Sequence, residues 1–354
     1  MTTHHSVLFG DARDMTAIAD ESVHLVVTSP PYPMIAMWDA IFADQDPNIA
    51  DALRTGRGEA AYELMHLQLD ACWRECKRVL VPGGIACINI GDATRTLDEH
   101  FRLYPNHSRI IQAMAGFDLE PLPSIIWKKP SNAPNKFMGS GMLAPGAYVT
   151  HEHEWILVFR NGSRRRFDKH ERNRRRHSAY FWEERNTWFS ETWDLRGVPQ
   201  RLGNGAGRAR SAAFPFEIPF RLITMFSLYG DTVLDPFAGL ATTGIAAIAA
   251  ARNSVAVETD RSLQAEIRKT FAGAVEIGAQ RQRDRLAYQA DLEHRRTTTR
   301  ATLPRHHNVP IGLPVMTSQE TDMRLLLPTE LQPVSDTQPL HYQVHHSDLT
   351  IDDR

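Results

Sequence analysis

The feature that most constrains this chain is an apolar run that ends in two prolines. Val23–Val27 has the composition of a buried strand, and it is followed directly by Thr28-Ser29-Pro30-Pro31-Tyr32-Pro33. Proline lacks an N–H for the strand ladder and restricts the residue before it, so the strand must stop at a rigid corner. Because ligands of open α/β sheets bind at the carboxyl ends of strands, the corner predicts a binding site.

The groups of this corner suit a planar base that carries an exocyclic amino group. The Ser29 hydroxyl oxygen and the Pro30 carbonyl can accept the two amino hydrogens. The Tyr32 ring can stack on the base. Taken alone, these residues leave open a simpler interpretation, in which a proline turn only ends a strand.

A second unit with a ligand-binding pattern lies in the last third of the chain. It consists of a strand at Thr232–Leu234, a loop at Asp235–Thr243, an alanine-rich helix at Gly244–Ala251 and a strand at Ser254–Val257 that ends at Glu258. The amides of such a loop can approach a nucleoside, and the terminal carboxylate can bind both ribose hydroxyls. Dinucleotide enzymes share this pattern, so the unit alone does not identify the ligand.

The charge of the chain is unevenly distributed. The formal net charge is −2, yet residues 160–210 hold 14 Lys and Arg against 6 Asp and Glu. Two arginine triplets precede several aromatic residues in this segment, and they are Arg164, Arg165, Arg166, Arg174, Arg175 and Arg176. Arginines interleaved with aromatic residues are typical of surfaces that bind nucleic acid. A solvated charged face is the alternative.

Cysteine usage and hydropathy exclude several classes of protein. Cys72, Cys76 and Cys87 are too few for a disulfide framework and lack zinc-site spacing, and we expect no bound metal. No apolar run reaches the length of a membrane span, and Met1–His5 does not begin a signal peptide. A cytoplasmic protein without a membrane partner is therefore expected.

Together, these segments resemble the beta group of DNA amino-methyltransferases, over about residues 6–262. The Ser-Pro-Pro-Tyr string at residues 29–32 resembles the catalytic motif of that family, and the motif around Asp235–Thr243 resembles its cofactor motif. In this group the catalytic motif precedes the cofactor motif, as it does here. The resemblance implies transfer of a methyl group from S-adenosyl-L-methionine to an amino group of a base in double-stranded DNA, after the base has been flipped out of the duplex.

The resemblance also implies roles for individual residues. The catalytic residues would be Ser29, Pro30, Pro31 and Tyr32, and the cofactor-binding residues would be Asp11, Pro215, Glu217, Asp235, Pro236, Phe237, Gly239, Thr242 and Glu258. The family usually has glycine where this chain has Ala241, so the loop is expected to approach the cofactor less closely. The segment Trp127–Asn135 resembles a loop that helps to hold the extruded base.

The expected fold is a Rossmann-like methyltransferase domain with a mostly parallel sheet, a circularly permuted motif order and an inserted target-recognition region. We predict a catalytic half at residues 1–129, the target-recognition region at 130–212, and the cofactor-binding half with a C-terminal helix at 213–296. Residues 297–354 hold six prolines and no clear periodicity, which predicts a mostly disordered tail.

The subtype and the partners follow from the same resemblance. Serine at position 29 favours N4-cytosine as the target, and N6-adenine is the alternative. An RNA methyltransferase is disfavoured by the motif order, and a non-catalytic DNA-binding protein would leave both site motifs without a role. A restriction-modification system with a cognate endonuclease would fit, and the sequence leaves a monomer and a homodimer both open.

Overall fold

The computed structural model describes residues 1–129, 138–197, 214–299, 303–335, 337 and 339–353. In chain order, their strands are β1 (Thr2–Phe9), β2 (Val23–Thr28), β3 (Leu80–Ile90), β4 (Ala93–Leu97), β5 (His100–Tyr104), β6 (Leu119–Lys128), β7 (Met138–Gly139), β8 (Ala147–Tyr148), β9 (His153–Asn161), β10 (Thr192–Asp194), β11 (Thr232–Asp235), β12 (Asn253–Glu258), β13 (His306–Asn308), β14 (Leu313–Val315), β15 (Leu326–Ser335) and β16 (Leu340–Asp348).

The helices of the same residues are α1 (Asp39–Gln45), α2 (Pro47–Arg54), α3 (Gly58–Val79), α4 (Asn106–Gly116), α5 (Lys169–His177), α6 (Trp182–Trp188), α7 (Glu217–Phe226), α8 (Thr242–Ala249), α9 (Gln264–Ala272) and α10 (Ala274–Thr299). Short 3₁₀ helices occupy Ala36–Trp38, Arg261–Leu263 and Ile351–Asp353. In the described parts of the chain, none of the helices combines the length and the hydropathy that a membrane crossing would need.

One ten-stranded sheet organises the molecule, in the order β10-β6-β9-β3-β2-β11-β12-β1-β16-β15. The strands from β3 through β2, β11 and β12 to β1 are parallel, while β9 runs antiparallel between β3 and β6. Helices cover both faces of the sheet, and the central strands accordingly carry apolar side chains on both faces. Leu25 and Val27 pack in one hydrophobic cluster with α7, whereas Val26 packs on the opposite side with α3.

The place where strand connections diverge defines the candidate site. From β11 the chain passes through α8 to β12 on one side, and from β2 it passes through α3 to β3 on the other side. Strands β2 and β11 are neighbours, so their following loops leave the sheet in opposite directions and open a crevice between them. The predicted Rossmann-like fold, with the catalytic motif before the cofactor motif, is confirmed.

The segment after the corner is helical. Residues 39–54 form α1 and α2, and Phe42 of α1 is buried in the core. The Asp46 side chain caps α2 by accepting a hydrogen bond from the Asn48 amide. These helices are short and bury only one side, so they contain few apolar residues. The periodic pattern of apolar residues that predicts a helix is therefore weak.

The prediction of a disordered tail at residues 297–354 is wrong. Strand β16 pairs antiparallel with β1, and β15 pairs with β16, so the tail extends the main sheet by two strands. Leu340 and Val344 of β16 are fully buried against the helix side of the sheet. Two of the prolines lie in the outer strand β15 and one lies in β14 of a separate two-stranded sheet, and edge strands tolerate a missing N–H. The prolines therefore concealed a hairpin.

Two other sequence predictions are adjusted. The long helix expected at 263–294 is two helices, α9 and α10, separated at Gly273. The boundaries of the target-recognition region stay predictions, because residues 130–137 and 198–213 lie outside the described part of the chain. Its described residues form β7 to β10 with α5 and α6.

Truncation of one tail side chain tests the contribution of this hairpin. The Tyr342 ring of β16 is 7% exposed and stacks on Phe271 with ring centroids 4.3 Å apart. Tyr342→Ala should lower the free energy of unfolding by about 3 kcal/mol, because it leaves a cavity and removes a ring contact. Urea denaturation measures this loss.

The matched control is Tyr288→Ala on α10, whose side chain is 57% exposed. It should change stability by less than about 0.5 kcal/mol. Equal stabilities of the two variants would show that the hairpin does not contribute to the core.

Candidate active site

The two site motifs meet at the crevice between β2 and β11. A cavity of about 110 Å³ lies there. Its lining residues come from both motifs and from the helices above them, and they are Asp11, Ala12, Ser29, Pro31, Trp38, Ile41, Phe42, Gln45, Gln68, Leu69, Cys72, Pro236, Phe237, Gly239, Val257, Glu258, Thr259 and Asp260. The structure thus brings together residues that are more than 200 positions apart in the sequence.

The Glu258 carboxylate closes one end of this cavity. It is 8% exposed, accepts a hydrogen bond from the Gly239 amide at 2.7 Å and accepts another from the Asp260 amide at 2.8 Å. Glu258 is the last residue of β12, so the strand fixes its position, and its bond to Gly239 fixes the β11 loop. A carboxylate held in this way can also accept hydrogen bonds from ligand hydroxyls.

Asp235, predicted to bind the cofactor, is engaged by hydrogen-bond donors of the protein. Its carboxylate is 3% exposed and accepts hydrogen bonds from the Thr28 hydroxyl at 2.7 Å and the Thr243 hydroxyl at 2.6 Å. The Phe237 amide donates to it at 3.1 Å. These bonds join the end of β2 to the β11 loop and to α8, so Asp235 shapes the loop that borders the cavity and does not line the cavity itself.

Asp11 lines the cavity as predicted, but its carboxylate is engaged. Arg13 donates to both carboxylate oxygens, at 2.9 Å and 2.6 Å to Oδ2 and at 3.1 Å to Oδ1, and it also donates to Gln68 of α3. Burial would raise the pKa of Asp11, but the hydrogen bonds from Arg13 outweigh burial and hold this pKa below its usual value. Asp11 thereby joins the β1 loop to α3 beside the cavity.

Three predicted cofactor residues lie away from the lining. Glu217 pairs with Arg221 and Arg281, with the nearest N–O distances at 2.7 Å and 3.0 Å. Pro215 precedes α7 and Thr242 begins α8, and neither belongs to the described residues that line the cavity. Their predicted roles stay predictions.

Several lining residues were missed because they come from helices. Trp38, Ile41, Phe42 and Gln45 belong to the α1 region, and Gln68, Leu69 and Cys72 belong to α3. The helical spacing of α3 could be recognised, but spacing alone does not tell which end of a buried face borders a ligand. Only the adjacency of α3 to the corner provides that information.

Ala241 occupies the position at which the family usually has glycine. Its backbone has φ +60°, in the left-handed region, where a Cβ costs roughly 1–2 kcal/mol. The residue is buried and its amide donates to the Ala238 carbonyl at 2.7 Å. The loop therefore keeps a turn that glycine would adopt without strain.

A network of polar side chains surrounds Tyr32 of the corner. The Tyr32 hydroxyl lies 2.8 Å from Glu154 Oε2, 2.7 Å from Asn89 Nδ2 and 3.1 Å from Ser29 Oγ. Asn89 also donates to Glu154 at 2.7 Å, and Lys129 pairs with the other oxygen of Glu154. Burial, with the charge of Glu154 as the next cause, raises the pKa of Tyr32, so the phenol stays neutral.

The Tyr32 ring is packed closely against the end of β3. Its side chain is 7% exposed, and a Cβ added at Gly91 would lie 3.0 Å from Tyr32 Cε2. Glycine at position 91 lets the strand end approach the ring. The predicted stacking of the ring on a base stays a prediction, and the hydroxyl of Tyr32 contacts Ser29.

The network also fixes the direction of the Ser29 hydrogen bond. A carboxylate only accepts, so the Tyr32 O–H must donate to Glu154, and the Asn89 amide donates to the Tyr32 oxygen. Because the tyrosine hydrogen is used, Ser29 must donate its own hydrogen to Tyr32. The lone pairs of Ser29 Oγ then remain able to accept a hydrogen from a substrate amino group.

The arginine triplets lie near the amino ends of the parallel strands, whereas the corner lies at the carboxyl ends. Strand β9 runs from His153, near the end of β3, to Asn161, and Arg160 pairs with Ile85 close to the start of β3. Residues 162–176 follow that end of β9. The structure thus does not bring either triplet to the carboxyl ends of the strands, where the corner lies. Their DNA-binding role stays a prediction.

Two of the six arginines form internal ion pairs. Arg165 and Arg174 contact the fully buried Asp231, at 2.6 Å and 3.2 Å. Arg176 pairs with Asp322, and Arg175 lies over the Phe167 ring. The remaining two, Arg164 and Arg166, are exposed.

The cysteines offer no nucleophile and the described residues offer no metal site. Cys72, Cys76 and Cys87 are free and buried, and burial raises the pKa of each thiol. Among the residues that the structure describes, no group of His, Cys, Asp and Glu side chains could hold a metal ion. Of the predicted base-holding loop at 127–135, residues 130–135 lie outside the described part of the chain.

Buried ion pairs near the amino ends of the strands predict that neighbouring arginines contribute differently to the free energy of unfolding. Arg165→Ala should lower the free energy of unfolding by about 1–3 kcal/mol, because Asp231 then keeps only Arg174, His24 and the Leu228 amide as partners in the core. Arg164→Ala is the control and should change it by less than about 0.5 kcal/mol. Similar urea midpoints for the two variants would contradict a structural role for Arg165.

The pKa values of Asp235 and Asp11 are shifted in opposite directions, which predicts opposite dependences of stability on pH. Burial raises the pKa of Asp235 despite its hydrogen bonds, so the folded state binds this proton more tightly than the unfolded chain. Its contribution to stability must fall as pH rises above the unfolded value of about 3.9. The lowered pKa of Asp11 has the reverse effect, and its contribution is lost as pH falls below that value.

Denaturation of the wild type, Asp235→Asn and Asp11→Asn between about pH 3 and about pH 7 measures both effects. The wild-type advantage over Asp235→Asn should shrink with rising pH, and the advantage over Asp11→Asn should grow. Parallel curves for all three proteins would show that neither carboxyl titrates abnormally.

Comparison with known proteins identifies the family. A family model described as DNA methylase, N6_N4_Mtase, matches residues 23–269. The Type II methyltransferase M.MthZI of Methanothermobacter thermautotrophicus is 46% identical over 335 residues, which cover 93% of this chain and 92% of the relative. The Type II methyltransferase M.MjaI of Methanocaldococcus jannaschii is 52% identical over 275 residues, covering 75% and 90%.

A solved structure shares the same architecture. The candidate DNA modification methylase TTHA0409 of Thermus thermophilus, crystallised with S-adenosyl-L-methionine, is 31% identical, with a TM-score of 0.59. The match covers 76% of this chain and 94% of that one. The family match spans the corner at residues 29–32, the β11 loop and Glu258, which are the parts that meet at the cavity. This chain belongs to the N6_N4_Mtase family of DNA methylases.

Proposed function

We propose that this chain transfers a methyl group from S-adenosyl-L-methionine to the exocyclic N4 of cytosine in double-stranded DNA, as the methyltransferase of a Type II restriction-modification system. The observation that carries the proposal is the shared cavity, in which Ser29 of the corner and Glu258 of the nucleoside-type unit line the same space. This arrangement supports an amino-group acceptor beside a cofactor site. The names of the two curated relatives support the restriction-modification context.

The cavity fits a nucleoside cofactor by its chemistry. Apolar side chains of Ile41, Phe237 and Val257 provide surfaces for a ring, and the Glu258 carboxylate can accept bonds from ribose hydroxyls. Gly239 has φ +52°, and a Cβ added there would meet nothing within 4 Å. Glycine is therefore favoured there by its backbone conformation. When bound, S-adenosylmethionine supplies an electrophilic methyl group.

The corner prepares the target amino group as an attacking atom. Ser29 Oγ accepts one amino hydrogen, since its own hydrogen is donated to Tyr32. The Pro30 carbonyl, which lies beyond the paired residues of β2, accepts the other hydrogen. Two acceptors outside the plane of the base favour a pyramidal nitrogen, whose lone pair is then less delocalised into the ring. The nitrogen thereby becomes more nucleophilic.

Serine at position 29 supports cytosine as the target. A neutral hydroxyl is the acceptor here, whereas N6-adenine enzymes more often have aspartate or asparagine in the corresponding place. N6-adenine remains the alternative target, because the family description covers both kinds of amino group.

Two hairpins at the catalytic edge support a role in DNA contact. The β4–β5 hairpin and the β7–β8 hairpin meet through Phe101 and Tyr148, whose rings stack with centroids 4.6 Å apart. Met142 and Val149 are 89% and 88% exposed beside them. Exposed apolar side chains next to an active site can pack on the bases and sugars of a duplex that opens there. We therefore assign target recognition to this edge, within the region 130–212 and the β4–β5 hairpin.

The product of the reaction tests the proposal. Unmethylated DNA of mixed sequence is incubated with the protein and methyl-labelled S-adenosylmethionine, and the DNA is digested to nucleosides. The label should appear as N4-methylcytosine. Ser29→Ala is the control, and it should lose transfer by on the order of a hundredfold while it still binds the cofactor. Label only in N6-methyladenine would contradict the assignment of cytosine, and unlabelled DNA would contradict the proposed activity.

A further inference from the structure

We propose that Glu154 is the terminal acceptor of a proton relay that begins at Ser29 and passes through the hydroxyl of Tyr32. The inference rests on the proposed function, and it assigns a role to residues outside the motifs that define the family site.

The three oxygen atoms form a continuous path. Ser29 Oγ lies 3.1 Å from the Tyr32 hydroxyl oxygen, which lies 2.8 Å from Glu154 Oε2. Asn89 holds the path in place by donating to both Tyr32 and Glu154 at 2.7 Å. With Ser29 donating to Tyr32 and Tyr32 donating to Glu154, the path can move a proton from Ser29 toward the carboxylate.

The fold explains why Glu154 reaches the corner. Strand β9 runs antiparallel to β3, so its first residues lie beside the carboxyl end of β3, with Asn89 paired to Ile156 and Ile90 paired to Trp155. Glu154 is the next residue toward the catalytic edge, and its side chain is 13% exposed. A carboxylate from a distant part of the chain is thus positioned beside Tyr32 of the corner, and it is not among the residues that line the cavity.

The chemistry requires such an acceptor. When the amino nitrogen forms its bond to the methyl carbon, the bond from that carbon to sulfur breaks and the sulfonium becomes a neutral thioether. The nitrogen then carries a positive charge and must release one proton. Ser29 Oγ takes this proton and passes its own to the Tyr32 oxygen, which passes the phenol hydrogen to Glu154. The products are a neutral methylated base and a protonated Glu154.

The relay has an exit to solvent. Lys129 pairs with the second oxygen of Glu154, lies 4.3 Å from the centroid of the Trp127 ring and has a side chain that is 33% exposed. After transfer, the proton on Glu154 can leave through water at this exposed side, and the carboxylate is regenerated for the next turnover.

A double-mutant cycle on the full chain tests the relay. Glu154→Gln removes the proton acceptor, and Tyr32→Phe removes the hydroxyl that links Ser29 to Glu154. Each change should lower kcat by on the order of a hundredfold, while KM for DNA and the affinity for S-adenosylmethionine stay within about threefold. Because both residues act on one path, the double variant should be no slower than the slower single variant.

The matched control is Glu120→Gln, which removes a carboxylate from an ion pair with Arg160 at the opposite edge of the same sheet. It should leave kcat unchanged. Should Glu154→Gln not fold, Tyr32→Phe tests the same path, because it removes only one oxygen atom from a packed ring.

The outcomes separate the relay from the proposed function. A wild-type protein that labels DNA, together with a Glu154→Gln variant whose kcat is within about twofold of it, would overturn the relay alone. Losses that multiply in the double variant, or that appear in KM or in cofactor affinity, would also overturn it. No transfer by the wild type would overturn both. Loss of kcat alone, without additivity, would support the relay.

Discussion

The hydrogen bonds of Asp235 hold the two halves of the site together. This buried carboxylate accepts from Thr28 at the end of β2 and from Thr243 in the first turn of α8, while it also orders its own loop through the Phe237 amide. Strands β2 and β11 are adjacent, but the chain leaves them in opposite directions, and few other side chains could bridge the crevice without filling it. The Asp235 carboxylate therefore positions both the corner that carries Ser29 and the β11 loop that contains Gly239.

The sequence predicted the local parts of this arrangement well. A strand followed by two prolines, and a strand–loop–helix–strand unit that ends in an acid, are each encoded in fewer than 30 consecutive residues, and β2, β11, α8 and Glu258 lie where their patterns indicated. The reason is that strand termination at Pro30 and the left-handed turn at Gly239 are set by backbone chemistry within the segment. Local rules were sufficient wherever the determining contacts were local.

The sequence was less informative where contacts join distant parts of the chain. The hairpin β15–β16, predicted as a disordered tail, has little to bury by itself, and it becomes ordered because β1 offers a free edge and Phe271 offers a ring for Tyr342. The DNA-binding role of the arginine run stays a prediction, and two of its members, Arg165 and Arg174, are directed to Asp231, a residue more than 50 positions away. Glu154 could not be recognised either, because only the antiparallel register of β9 against β3 places it behind Tyr32.

The contrast between Asp235 and Glu154 shows how two carboxylates near the carboxyl ends of the strands acquire different partners. The partners of Asp235 are neutral hydroxyl and amide groups, and its side chain is enclosed, so burial raises its pKa. Glu154 has a neutral phenol on one oxygen and a partly exposed lysine on the other. A group that accepts a proton in each turnover and then releases it needs both of those neighbours. The phenol links it to the substrate by a hydrogen bond, and the lysine lies on the side that is exposed to water. The partners of each carboxylate, more than its depth in the protein, therefore decide which one anchors the fold and which one serves the reaction.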